Sequence, residues 1–311
     1  MQALLDVILP VFLILGAGYA AARAGLFAEA AVDGLMRFAQ GIAVPCLLFR
    51  GVARLDLSGA YDPGLMGAFY LGAVAAYVAG YAGARALFGR TPVDALSVGF
   101  TAAFSNTLLL GLPITERAYG AAALAGNYAI ISLHAPILYA MGIMAMELVR
   151  SQGAGRSVGA LARQIARALL SQPLVISILA GLAVNLTGLP LPGVLWSALD
   201  MLVAAAIPAA LFGLGGVLNR YRPAGDGRAI LMVCAISLIL HPAVTWALGT
   251  LFGLGTDQMR SAVITAAMAP GVNAYLFAHL YGAAQRVSAS AVLIGTAFCI
   301  FTTWGWLQVL P

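Results

Sequence analysis

Lysine is missing from the 311-residue chain, and charge of any kind is scarce: 16 arginines and 11 acidic residues leave 9% of the residues charged. A soluble domain coats itself with about a quarter charged residues, so this chain cannot face water on all sides. With 62% hydrophobic residues and a mean hydropathy of +0.96, it is a polytopic membrane protein by composition. The net charge of +5 would suggest nucleic acid in a soluble protein. Here the arginines fall between apolar runs, where they orient a chain in the bilayer, so lipid and not nucleic acid is the expected partner. Cysteine is also rare. Cys46, Cys234 and Cys299 lie in apolar segments with no CxxC spacing, as small buried hydrophobes do. There is no HExxH, no paired carboxylate and no P-loop, so hydrolytic and ATP-driven activities lack residues to carry them, and no cofactor is expected. The first apolar segment has no basic leader region or A-x-A site and is read as a membrane span.

What is abundant is apolar sequence punctuated by 36 glycines and 14 prolines, both commoner in spanning helices than in soluble ones. A helix needs about 20 apolar residues to cross the hydrocarbon core. The uncharged runs give ten candidate spans, over 4–22, 36–54, 63–86, 93–116, 121–148, 168–187, 194–218, 229–254, 258–281 and 286–310. The expected fold is all-α and integral to the membrane. Alternating the loops leaves Arg50, Arg54, Arg117 and Arg260 on one side and every other arginine on the opposite side. The positive-inside rule then puts both termini on the non-cytoplasmic face of the cell's inner membrane. The loop over 149–168 is the longest and most basic. Ser157–Leu169 within it fits either an amphipathic surface helix or a solvated connector.

Two halves share their spacings. Pro10, Gly18, Gly25, Pro45 and Asp94 recur 163 residues later as Pro173, Gly181, Gly188, Pro208 and Asp257. TAAFSN at 101 is followed by TAAMAP at 265, and Tyr119-Gly120 by Tyr281-Gly282. The chain therefore reads as one membrane domain over 1–311 built from two five-span repeats, 1–150 and 165–311. An odd number of spans per copy turns the second upside down, the inverted repeat of many secondary transporters.

The fourth and ninth spans correspond in this repeat, and both carry helix breakers. The fourth holds SNTLLLGLP, with Gly111 and Pro113. The ninth holds MAPGVNAYLFA, with Pro270 and Gly271. Broken helices survive in a membrane only where protein or water satisfies the freed backbone, and a matched pair of breaks points to a binding site near the midplane. Half-helix N-termini favour an anion, and Ser105, Asn106, Thr107 and Asn273 offer hydrogen-bond donors to a carboxylate. The same Asn and Pro residues also fit a packing kink with interhelical hydrogen bonds. No basic residue lies in these stretches to neutralise an anion.

FSNTLLLGLPITERAYG resembles the fourth-helix signature of the auxin efflux carrier family, which includes plant PIN-formed proteins and bacterial organic-acid permeases. RFAQGIAVPCLLFRGV, LFGLG, HPAV at 241–244 and MAPGVNAYLFAHLYG resemble its second, seventh, eighth and ninth helices in order. The resemblance implies ten helices in two inverted repeats, with the fourth and ninth crossing at their breaks, as in bile-acid symporters and sodium–proton antiporters. It implies a scaffold from spans 1, 2, 6 and 7, a moving transport part from spans 3–5 and 8–10, and a homodimer. It also implies an alternating-access carrier of a small organic anion, auxin-like or a mono- or dicarboxylate, with Asn106 facing the substrate and Pro113 and Pro270 in the crossover. The long cytoplasmic loop of plant members is reduced here to about twenty residues.

Phe104, Leu108, Tyr275 and Phe277 fit either an aromatic substrate or core packing. Asp200, near the outer end of the seventh span, fits a site for a coupling cation or a pair with Arg50 or Arg54. His134, in ISLHAPILYA, fits proton coupling or a hydrogen-bonded packing role. A multi-pass sensor or channel without carrier activity is the alternative reading.

Overall fold

A computed structural model describes residues 4–150, 172–224 and 226–311, with single positions 159, 163, 166, 167 and 170 between them. Apart from those positions, the surface helix expected over 157–169 lies outside the described residues. The described chain is all-α, with no strand beyond one isolated bridge. In order it forms α1 (Leu4–Arg23), α2 (Glu29–Ala53), α3 (Pro63–Phe88), α4 (Pro92–Ala103), α5 (107–119), α6 (Ala121–Arg150), α7 (Pro173–Thr187), α8 (Gly193–Leu218), α9 (Gly227–Leu251), α10 (Thr256–Ala266), α11 (Val272–Tyr281) and α12 (Gln285–Val309). Among the described residues seven of these, α1, α2, α3, α6, α8, α9 and α12, are long and apolar enough to cross a membrane, and α7 is a shorter apolar helix. The protein is therefore a multi-pass membrane protein.

Local sequence explains the boundaries. Asp62 precedes Pro63, and its Oδ1 accepts from the Leu65 N–H at 2.8 Å; Thr91 precedes Pro92 and caps Asp94 N–H at 3.2 Å. Both place a side-chain acceptor at the N-cap and a proline at the first helical position, where a missing N–H costs nothing. α2 begins at Glu29, well ahead of the start expected at residue 36, because its acidic first turns have a partner. Arg220 Nη1 lies 2.8 Å from Asp33 Oδ1, and its Nη2 donates to the Glu29 carbonyl at 2.9 Å.

Four prolines are absorbed inside helical stretches by one device. Pro10, Pro45, Pro113 and Pro242 each stand two residues beyond a π-turn, formed by Leu4–Ile8, Ala39–Ala43, Thr107–Gly111 and Ile236–Leu240. A proline ring crowds the carbonyl four residues back and offers no N–H. Widening the preceding turn moves that carbonyl aside and keeps the chain helical. Thus Leu112 N–H reaches back five residues to Thr107 O, Val44 to Ala39 and His241 to Ile236. Gly111 and Pro113 consequently do not break the fourth span; the interruption falls at Phe104–Asn106, between α4 and α5.

The described chain divides into two compact units. One consists of Met1–Leu9, Tyr61–Leu161 and Tyr221–Pro311; the other of Pro10–Ala60 and Ala162–Arg220. The first holds α3–α6 and α9–α12 around a core that includes Leu65, Phe69, Ile130, Ala262 and Ala266. In the second, α1 packs on α8 so closely that a Cβ on Gly18 would lie 1.9 Å from the Phe212 carbonyl oxygen. On α7, a Cβ on Gly181 would lie 2.8 Å from the Phe49 carbonyl oxygen of α2. Asn185 Nδ2, also on α7, donates to the Val52, Ala53 and Leu55 carbonyls and so caps the end of α2.

Candidate functional site

Both interrupted helices lie in the first unit, and their breaks meet. α4 ends at Ala103 and α5 starts at Thr107; α10 ends at Ala266 and α11 starts at Val272. Ser105 and Pro270 form an antiparallel bridge. Asn106 N–H donates to Ala269 O at 2.8 Å, and Gly271 N–H donates to Phe104 O at 2.9 Å.

Away from water, an unpaired peptide group costs several kcal/mol, so each carbonyl in the breaks requires a donor. The structure supplies them one by one. Phe104 O and Ala269 O are taken by the bridge, and Ser105 O lies 3.1 Å from His134 Nε2 of α6. Met268 O accepts from Ser237 Oγ of α9 at 3.3 Å, and Ala267 O from Cys299 Sγ of α12 at 3.7 Å. Helices on several sides therefore hold the two breaks open as fixed, polar, non-helical backbone.

The side chains between them are small and polar. Ser105, Asn106 and Thr107 are all buried. Asn106 caps α5, its Oδ1 accepting from Leu109 N–H at 3.2 Å. With the amide oxygen committed to the helix, Nδ2 is the donor end of that side chain. Ser105 Oγ is buried and has no partner among the described residues. Pro270 and Gly271 lie against them across the bridge, where a Cβ on Gly271 would come 3.5 Å from Asn106 Cα. Asn273 is half-buried in the first turn of α11, and its carbonyl accepts from Tyr139 Oη of α6 at 3.2 Å.

The remaining sequence-predicted residues are less central. Gly111 and Pro113 stand one to two turns into α5, where a Cβ on Gly111 would touch Met268 Cγ at 3.4 Å. Gly111 is thus a packing surface for the second break. Asp200 belongs to the other unit, where its Oδ1 lies 2.9 Å from Arg50 Nη1, and Arg54 stacks on Trp196 at 4.2 Å. Phe104 and Phe277 are buried in a ring cluster: Phe100 stacks on Phe277 at 3.9 Å, and Phe104 meets Phe100 at 5.3 Å and His134 at 4.5 Å. Tyr275 packs on Tyr221 at 5.0 Å.

Two residues near the site escape the sequence reading. Asn127 of α6 is fully buried and donates through Nδ2 to Thr115 Oγ1 at 3.1 Å and Thr265 Oγ1 at 2.9 Å. It ties the second half of one broken pair to the first half of the other. The signal for it was available, an amide in an apolar run like that of Asn106. Ser237 was hidden, since a serine in a span usually bonds within its own helix.

Residues 3–307 match the family model described as membrane transport protein. The chain is 27% identical over 316 residues to a protein of Rhizobium meliloti (strain 1021) described as "Putative malonate transporter", covering 100% of this chain and 97% of that one. It is 24% identical over 308 residues to an "Uncharacterized transporter" of Methanothermobacter thermautotrophicus, covering 98% of each.

Proposed function

The chain belongs to the membrane transport protein family, that of the auxin efflux carriers, and from that membership we propose that it is a carrier of a small organic anion. The anion binds where the two breaks meet. The observation that carries this reading is the bridge between Ser105 and Pro270, which sets a buried hydroxyl and a buried amide beside two helix N-termini. Free N–H groups and helix dipoles at such ends attract a carboxylate without requiring a lysine or arginine.

In this reading Asn106 Nδ2 and Ser105 Oγ donate to the carboxylate, with Thr107 and Asn273 on either side. Pro270 and Gly271 keep the opposite wall free of side-chain bulk, while Gly111 and Pro113 shape the α5 half-helix behind it. Amides and hydroxyls bind an anion weakly enough to release it, as a carrier must. The name of the Rhizobium relative favours a small dicarboxylate such as malonate as the first candidate.

Several features support ten spans in two inverted repeats. α4 and α10 end at Ala103 and Ala266, and α5 and α11 end at Tyr119 and Tyr281, near the 163-residue offset of the sequence repeat. Gly18 against Phe212 and Gly181 against Phe49 are one contact made twice, since 163 residues separate both Gly18 from Gly181 and Phe49 from Phe212. The two compact units support a division of labour: the one holding the breaks moves with the anion, the one built on α1, α2, α7 and α8 stays fixed and forms a homodimer. The arginine bias favours both termini on the outer face of the inner membrane.

Counterflow into proteoliposomes tests the proposal. Vesicles loaded with malonate, malate or indole-3-acetate are diluted into the labelled compound, with Na⁺ and pH varied. A transient overshoot of label is expected for at least one of them; a channel gives none, and no flux of any carboxylate overturns the carrier reading.

A further inference from the structure

We propose that His134 is a proton-binding site of the carrier and takes up one proton with each carboxylate bound at the breaks. The inference rests on the carrier reading above and adds the coupling ion to it. His134 lies on α6, fully inside the first unit, with its Nε2 at 3.1 Å from Ser105 O in the first break. A carbonyl oxygen only accepts, so Nε2 carries a hydrogen and donates it. The lone pair of the neutral ring is therefore on Nδ1, which is buried and has no partner among the described residues. The ring is wedged between Phe104 at 4.5 Å and Phe69 at 5.6 Å, so it cannot turn away to find one without repacking the aromatic cluster.

Among the described residues, the breaks themselves and the middles of the helices around them hold no arginine for an anion. The charged residues of the helices that pack on α6 stand at helix ends: Arg85 on α3, Asp94 on α4, Glu116 and Arg117 on α5, Asp257 and Arg260 on α10, and Glu147 and Arg150 on α6 itself. Titratable groups also border the rings that hold His134: His241 of α9 lies 5.4 Å and Tyr70 5.1 Å from Phe69, and Tyr139 lies 5.6 Å from Phe104. Tyr70 Oη is committed to Ile130 O and Tyr139 Oη to Asn273 O.

An anion brought alone into such a place, or a proton added alone to the ring, each leaves an uncompensated charge in low dielectric. Together they make a neutral pair one residue from Asn106. The proton from solution adds to the Nδ1 lone pair as the carboxylate enters, and leaves from the same nitrogen when the carboxylate departs on the other side. No bond other than N–H is made or broken. A monocarboxylate then crosses with no net charge.

Linkage sets the expected numbers. While His134 is neutral in the empty carrier, one proton taken up per anion makes the apparent affinity rise about tenfold for each unit of falling pH. Indole-3-acetate stays ionised between about pH 6 and 8, well above ordinary carboxylic acids, so its own titration does not enter. The test uses the full chain in vesicles with a pH dye inside, driving uptake of indole-3-acetate, or of malonate between about pH 7 and 8, where both its carboxyls are ionised. Acidification of the lumen at one proton per anion, with the tenfold-per-unit pH dependence, is expected. His134→Gln keeps an amide donor toward Ser105 O but cannot titrate; it should abolish both the proton movement and the pH dependence while His241→Gln keeps them. Carboxylate flux in the unaltered protein with no proton movement and no pH dependence overturns the proton site and leaves the carrier reading intact, and that measurement needs no variant. Flux of no carboxylate overturns both.

Discussion

Asn106 and Ala269, 163 residues apart, are joined backbone to backbone: the Asn106 N–H donates to the Ala269 carbonyl at 2.8 Å. The contact turns two interrupted helices into one framework. Neither break is fully satisfied within its own segment: each takes a donor from the other, and α6, α9 and α12 supply further donors. Residues that serve this framework and residues that serve an anion are therefore separable by substitution.

Asn106 is where the two roles coincide. Asn106→Ala removes the N-cap acceptor and costs about 1 kcal/mol of stability along with binding. Asn106→Asp retains an oxygen for the Leu109 N–H but replaces the amide donor by a negative charge. We expect a protein that elutes as a single species and unfolds within a few degrees of the parent, yet binds malonate on the order of a hundredfold more weakly. Affinity of the Asp variant equal to the parent's would show that Nδ2 does not face the substrate.

Ser237 tests the framework alone. Its hydroxyl is the side-chain donor to Met268 O, so Ser237→Ala leaves a buried carbonyl without that partner. The expected cost is about 1–3 kcal/mol, read as a lower unfolding temperature in detergent. Ser237→Cys should recover part of it, because a thiol is a weak donor of similar size. An alanine variant as stable as the parent would mean another donor replaces the hydroxyl.

Gly18 and Gly181 permit equivalent close approaches of unequal tightness. Gly18→Ala forces its methyl against backbone at 1.9 Å, whereas at Gly181 the nearest carbonyl oxygen is 2.8 Å away. Both should destabilise by about 1–3 kcal/mol or more, with Gly18→Ala the worse. Thermal unfolding of the two purified variants gives the order directly, and the reverse order would count against the packing described.

Asp200 separates ion coupling from structure in the other unit. Its pair with Arg50 is partly exposed, with 30% of the Arg50 side chain and 47% of the Asp200 side chain accessible. Such pairs contribute about 0–1 kcal/mol. Asp200→Asn is expected to leave both stability and the ion dependence of transport nearly unchanged. Loss of a Na⁺ or proton dependence in this variant, measured in vesicles, would assign Asp200 to coupling instead.

Much of this was legible in the residues. The apolar runs located the long helices, and MAPGVNAYLFA marked the second break, because Pro270 lies in it. The first break was displaced. Gly111 and Pro113 are the strongest helix breakers in their stretch, yet the π-turn at Thr107–Gly111 absorbs them and Ser105 interrupts the helix instead. Residue propensity cannot foresee that, since the cost of a proline depends on whether the turn before it can widen. Nor could spacing reveal that Ser237 and Cys299, distant in sequence, would supply donors to one short segment. Those pairings are decided by which helices pack together. Ala28 and Glu29 gave no sign that α2 starts there, because the partner that makes its charges tolerable, Arg220, is almost two hundred residues away.

The π-turn ahead of Pro113 has an angular consequence. A π-turn amounts to one residue inserted into an α-helix, and one residue of α-helix is about 100° of rotation. Everything on α5 beyond Gly111 is thereby swung round by that angle relative to an uninterrupted helix. It is this rotation that aims Thr115 Oγ1 at Asn127 Nδ2, 3.1 Å away, and so locks α5 to α6 and α10. Removing a single residue from Thr107–Gly111 would straighten the helix and point Thr115 elsewhere. The lock would be lost although every side chain that forms it was still present.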